Sequence, residues 1–335
     1  MFAPVRTRAV RNRVLRDRVT RDRVVREPVS RIALPDPLAR WIGHELGSEV
    51  VTAVPQAGGN SPGPAARIQL ADGRGYFVKS VSDDESPHMT RQFRREMDVL
   101  RRLPTVPYRP ALVATLDDGD RVAIVLADVD GTLPNLSDPA VNDAARDVVR
   151  EQTRALTPDQ LRLPRDDVAA TVRRWHAAIA AVDPVVRAKL PHWWRQEEPR
   201  LLARLATLPD RVPPESWCHF DVRDDNMLVR ADGSIVFLDW GMARSGPAWM
   251  DEVLLDLHDV TTPAFDARVA QLPAYGLASD DGREDAVTDY LLCLGISLAA
   301  VAYGASPDGL PRLMSQRRAE SHRLLVGAAR RLGYR

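Results

Sequence analysis

Apolar and polar positions alternate in short blocks over residues 50–127 and recur at helical spacing beyond 131. Residues 50–55, 66–70, 76–80, 111–116 and 121–127 read as strands. Asp72-Gly73 and Asp118-Gly119 stand between two pairs of them, and such dipeptides are strong hairpin turns. Residues 37–46 read as a short helix. Residues 85–103 are polar but carry Phe93, Met97, Leu100 and Leu103, a helical spacing. The pattern thus predicts a small sheet with one long helix inserted after its third strand.

From Gly131 onward the periodicity is helical, over 167–182, 193–208, 284–303 and 310–332. One strand pair, 227–230 and 235–238, interrupts it around Asp232-Gly233. A strand-rich first lobe (35–127), a connector (128–131) and a helix-rich second lobe (132–335) make a bilobal plan, with a cleft favoured for ligands. Residues 1–34 are different. They repeat Arg-x-Arg-Val every five residues, a period of neither helix nor strand, and are read as a disordered arginine-rich extension. A basic arm for nucleic acid or an anionic membrane is the competing reading.

The 335 residues allow a sizeable core without disulfides, and the formal charge is zero. That balance argues against the whole chain being a polyanion binder, so no nucleic-acid partner is expected. The longest apolar stretch, 290–303, falls short of the roughly 18 residues of a membrane span, and no membrane partner is expected. With two cysteines and no secretory h-region, a reduced cytoplasmic setting is the simplest reading. Basic residues are almost all arginine; lysine occurs only at Lys79 and Lys189.

The informative stretch begins at His219-Phe220-Asp221-Val222-Arg223-Asp224-Asp225-Asn226. Asp239-Trp240-Gly241 follows beyond the predicted hairpin, which should return Asp239 to Asn226. An amide oxygen and a carboxylate suit magnesium, which takes few protein oxygens beside substrate phosphates. Asp221 is left free of metal to accept a proton from a hydroxyl.

In this pattern the chain resembles the aminoglycoside phosphotransferase family, which is similar in fold to protein kinases. His219, Asp221 and Asn226 match its His-x-Asp-x-x-x-x-Asn loop, and Asp239 its second magnesium aspartate. The resemblance covers roughly 40–330. It implies an α+β, protein-kinase-like bilobal fold with a small antiparallel-sheet lobe and a larger, mainly helical one. It makes His219 a structural brace and Asp221 the base. Lys79, ending the third strand, would contact the nucleotide phosphates, with Glu96 orienting it. The loop 58–63 would cover the phosphates, through Gly59 and Ser61. The Ala127 carbonyl and Val129 amide would bind the purine edge. Three departures touch substrate choice: Phe220 where glycine is usual, Arg223 where histidine is frequent, and no acid in Ser245-Gly246-Pro247. Arg223 either steadies transferred charge or pairs with Asp224 or Asp225.

The implied activity is transfer of the γ-phosphate of ATP or GTP, with magnesium, to a small-molecule hydroxyl, such as that of an aminoglycoside or other antibiotic. The acids of 251–289 would suit a cationic acceptor, and Trp193, Trp194, Trp240 and Trp249 could wall its pocket. The alternatives are a kinase for a sugar, choline or homoserine-like metabolite, and a catalytically silent nucleotide-binding module. A protein kinase is disfavoured because no Ala-Pro-Glu follows Asp239-Trp240-Gly241.

Overall fold

The computed structural model describes residues 34–56, 62–156, 167–304 and 311–334. The arginine-rich repeat, Gly59 and Ser61 lie outside the described residues.

The first lobe opens with α1 (Asp36–Leu46), ended by Gly47 in the left-handed conformation. Then come β1 (Val50–Pro55), β2 (Ala65–Leu70), β3 (Gly75–Ser82), α2 (Pro87–Arg102), β4 (Leu112–Asp117) and β5 (Arg121–Ala127). The strands form one antiparallel sheet in the order β1-β2-β3-β5-β4. Side chains alternate across a sheet, so β5 serves two cores. Its Ala123 and Val125 pack with Ile68, Val78 and the α1 residues Leu38 and Ile42. Its Val122, Ile124 and Leu126 pack with Phe93, Met97 and Leu100 of α2. Lys79 pairs in register with Ile124, so it shares the α2 face. The Ser86 hydroxyl caps α2 by accepting the Met89 N–H at 3.3 Å, and Pro87 fits its first turn.

The second lobe contains α3 (Pro139–Ala155), α4 (Val168–Ala180), α5 (Pro184–Arg187), α6 (His192–Ala206), β6 (Ser216–Cys218), β7 (Met227–Val229), β8 (Ile235–Phe237) and β9 (Arg244–Gly246). It continues through α7 (Met250–Leu255), α8 (Pro263–Ala270), α9 (Arg283–Tyr303) and α10 (Pro311–Leu332). The expected hairpin is β7–β8, with Met227 opposite Phe237. A second antiparallel pair, β6–β9, was not expected; it frames the loops on either side of the hairpin. Helix α9 is the lobe's axis, packed by α4 and α10. At Gly295 a Cβ would come within 3.0 Å of Leu325, so the missing side chain is what lets α10 approach. By length and composition α9 could cross a membrane, a wider window than the 290–303 run judged too short, but 72% of that window is buried in the protein.

Candidate active site

One lysine brings a carboxylate of each lobe together. Lys79 Nζ lies 2.5 Å from Glu96 Oε2 of α2 and 3.4 Å from Asp239 Oδ1, beyond β8 in the helical lobe. Lys79 and Glu96 are largely buried, while the Asp239 side chain is half exposed. Burial opposes the charge on Lys79, but the two carboxylates outweigh it and raise its pKa. Lys79, against the cost of burial, holds the Asp239 carboxyl below the usual carboxylate range. Glu96 goes the other way. Burial pushes it up to about 7 despite Lys79. Its second oxygen, Oε1, is buried and has no hydrogen-bond partner of good geometry among the described residues, although the Trp240 N–H favours the charged carboxylate.

A carboxyl raised on folding favours the folded state through its bound proton. That contribution is complete below its ordinary value of 4.5 and lost as pH rises through about 7. Glu96→Gln, free of nucleotide and metal, is therefore expected to flatten the fall in melting temperature over this interval. Melting curves at half-unit pH steps check this; an unchanged slope would refute it.

Three contacts hold the loop from His219 to Asn226, two of them to Leu238 at the end of the hairpin. His219 Nε2 meets the Leu238 carbonyl at 2.7 Å, and its Nδ1 meets the Asp221 N–H at 3.3 Å. Both are satisfied when the proton sits on Nε2. The Leu238 N–H donates to the Asn226 carbonyl at 2.8 Å. Leu238 precedes Asp239, so the fully buried His219 fixes one loop relative to the other. Asn226 Nδ2 donates to Asp221 Oδ2 at 2.7 Å and to the Asp221 carbonyl at 3.0 Å. Asn226 Oδ1 accepts no hydrogen bond from the described residues, and Asp239 Oδ1 has only the long contact to Lys79 among side chains.

Three residues that the sequence did not assign to the site hold its frame. Arg95 of α2 donates to the carbonyls of Gly241 (2.9 Å) and Ala243 (2.7 Å), clamping the strand-to-loop turn that begins at Asp239. Asp251 of α7 is buried and accepts the His219 N–H at 2.6 Å, the Phe220 N–H at 3.0 Å and Gln152 Nε2 at 2.9 Å. Burial raises its pKa, although His219 and these amides resist. Arg244 lies over the Phe220 ring, 4.4 Å from its centre.

Phe220 has φ +64°, a strained value for a bulky residue, and this explains why the resembling family uses glycine there. The ring compensates, packed by Arg244, Trp175 and Tyr290. Phe220→Ala is expected to cost about 3–5 kcal/mol. Phe220→Gly should cost about 1 kcal/mol less, since only glycine occupies this region freely. Urea denaturation checks the order, and alanine proving the milder change would remove the strain argument.

The remaining expectations divide. Arg223 pairs with Asp225 at 2.7 and 2.9 Å rather than Asp224, and its Nε also lies 3.6 Å from Asp221 Oδ1. At the connector, the Val129 N–H donates to the Asp128 carboxylate at 2.9 Å, and Arg67 donates to the Val129 carbonyl at 2.7 Å. Ala127 ends β5 opposite Tyr76. The described end of the glycine-rich loop lies on β3, where a Cβ on Gly63 would be 2.0 Å from the Ser80 carbonyl oxygen. Many of the acids of 251–289 are taken up by arginines. Glu252 and Asp256 pair with Arg146, Arg150 and Arg268, Asp266 with Arg331, and Asp289 with Arg204 and Arg211. Trp194, Trp240 and Trp249 are core residues rather than pocket walls.

Comparison with known proteins bears on the family and the fold. The family model described as "Phosphotransferase enzyme family" (APH) matches residues 55–285, more than half of the chain. Among solved structures, an aminoglycoside phosphotransferase from Alicyclobacillus acidocaldarius superposes with TM-score 0.51 at 18% identity, covering 85% of this chain and 92% of its own. The choline kinase of Streptococcus pneumoniae gives 0.57 at 14%, covering 88% and 98%. An AMP-bound spectinomycin phosphotransferase gives 0.55 at 13%, covering 88% and 98%. A search of the curated proteins gave no match. Likeness at this identity speaks for the fold, which is protein-kinase-like, and the family model carries the rest: this chain belongs to the phosphotransferase enzyme family.

Proposed function

We propose that the chain transfers the γ-phosphoryl group of a nucleoside triphosphate, ATP or GTP, to a hydroxyl of a small molecule. The observation that carries this is the meeting of Lys79, Glu96 and Asp239 across the lobes, beside an Asp221–Asn226 pair. In this reading Lys79 holds nucleotide phosphates, and Glu96 aims it. The purine edge binds at the Ala127 carbonyl and Val129 amide, displacing the Asp128 contact. Loop 58–63, with Gly59 and Ser61, covers the phosphates.

The donor set fits magnesium. Asn226 Oδ1 and the half-exposed Asp239 carboxylate are hard oxygen ligands with spare capacity. Among the described residues no group of three or more His, Cys, Asp and Glu could hold a metal. Magnesium does not require one, because waters and phosphates complete its shell. When bound, the ion would neutralise charge on the transferred group. The chain's own part is positioning. His219 holds the loop, Asn226 orients Asp221 Oδ2, and the acceptor's proton passes to Asp221. Arg223 is held by Asp225 and steadies the Asp221 side of the cleft.

The acceptor is a small alcohol, read first as an antibiotic hydroxyl. The pairing of the 251–289 acids with arginines weakens the case for a polycation and favours the second reading, a metabolite with at most one positive charge. The free, buried thiols of Cys218 and Cys293 suit a cytoplasmic setting. The experiment is an acceptor screen with magnesium-ATP or magnesium-GTP against aminoglycosides, peptide antibiotics, sugars and amino alcohols, read by mass. The expected result is one phosphate adduct on one compound class. Nucleotide binding with no adduct and no hydrolysis would leave the silent-module reading instead.

A further inference from the structure

The helical lobe has a cavity of about 350 Å³ outside the cleft chemistry, formed by the segment before α6, the end of α9 and one face of α10. Its walls are aromatic and aliphatic. Trp193 and Tyr334 stack at one side, centres 5.0 Å apart and nearly parallel, and Tyr303 stands at the end of α9. The basic side chains that line it are Lys189, Arg318, His322 and Arg330; no Asp or Glu is among the lining residues. Arg330 pairs with Asp266, a carboxylate it shares with Arg331. The other three lack a carboxylate partner among the described residues. Lys189 is exposed and has no side-chain partner among the described residues, in a chain with only one other lysine. Among the described residues Arg318 donates only to the Ala302 carbonyl, at 3.2 Å, and it lies 5.9 Å from the centre of the Tyr303 ring.

We infer that this cavity is a binding site for a small aromatic anion, a flat apolar body carrying a carboxylate, sulfonate or phosphate. The volume lies in the range of small-ligand sites. The stacked pair offers ring faces, and an anion supplies what the wall lacks, an acceptor for Lys189 and Arg318. Amines and polycations are refused by the same charges. The site is separate from the Lys79–Asp239 cleft, so the inference does not depend on the proposed reaction.

The test uses the full chain and naphthalene-2-carboxylate, titrated by calorimetry with and without saturating magnesium and a non-hydrolysable ATP analogue. Naphthalene-2-methanol supplies the ring without the charge, and acetate the charge without the ring. The expected result is saturable 1:1 binding of the carboxylate, undisturbed by nucleotide, about tenfold tighter than the alcohol, with acetate not binding detectably. Lys189→Glu should weaken the carboxylate about tenfold or more and leave the alcohol unchanged; Lys189 is exposed, so the fold should tolerate it. Equal affinity for carboxylate and alcohol would overturn the inference. So would an unaltered affinity in Lys189→Glu, or displacement of the carboxylate by the nucleotide analogue. None of these readouts requires turnover, so a failed acceptor screen and a failed titration are separate results.

Discussion

Asp221→Asn is expected to lower phosphate transfer about 10²–10⁴-fold while leaving magnesium-nucleotide affinity within about twofold. The reason is local. Asn226 Nδ2 donates to Asp221 Oδ2 at 2.7 Å, and an asparagine oxygen at that place preserves the contact. What disappears is the carboxylate that takes the acceptor's proton. Lys79, Glu96 and Asp239 are untouched, so the nucleotide side of the cleft keeps its charges. Single-turnover assays on the acceptor found in the screen, beside calorimetric titration of the nucleotide, separate the two effects. A variant with near-normal transfer would remove Asp221 from the role of base.

The second large effect lies outside the cleft. Asp251→Ala is expected to cost about 3–5 kcal/mol of stability, which for many proteins of this size is a large part of the total. Two buried amides, those of His219 and Phe220, would lose their acceptor, and Gln152 would keep the Trp217 carbonyl but lose the second of its two acceptors. Asp251→Asn is the finer probe. Each carboxylate oxygen accepts from one of the two amides, so an amide side chain must set a donor against a donor at one of them. That variant should fold with a smaller loss and still transfer phosphate poorly, because the displaced loop carries Asp221. Urea denaturation and kcat measure the two parts. A stable Asp251→Ala with full kcat would mean that the loop does not depend on this brace.

The sheet was legible because its strands are bounded by turn dipeptides and because β5 serves both faces. Lys79 stood out because lysine is otherwise nearly absent from the chain, and its strand position placed it on the α2 face. The hairpin was readable from Asp232-Gly233, and it is what returns Asp239 to the loop. The β6–β9 pair escaped notice because three-residue strands are too short to show alternation. Helix α3 escaped because half of its buried positions, Gln152 and Thr153 beside Ala145 and Val149, are polar, which blurs the apolar stripe.

The acids of 251–289 show the limit most plainly. In sequence they suit a cationic acceptor and a solvated helix face alike, and the arginines that pair many of them come from other elements. Arg146 reaches Asp256 and Arg204 reaches Asp289, partners that no local pattern announces. In sequence Asp251 stands both in that run and after Gly246-Pro247 at the close of the motif, but only the fold brings it under two amides some thirty residues back. Arg95 was hidden for the same reason, since its acceptors are backbone carbonyls of a distant turn.

The most direct test of the account is calorimetric titration of a non-hydrolysable ATP or GTP analogue into the wild-type chain and Asp239→Ala, with magnesium and then with chelator. The account predicts saturable 1:1 binding to the wild type that weakens on chelation and weakens comparably in Asp239→Ala. Binding that is indifferent to both magnesium and Asp239, or absent with either nucleotide, would contradict it.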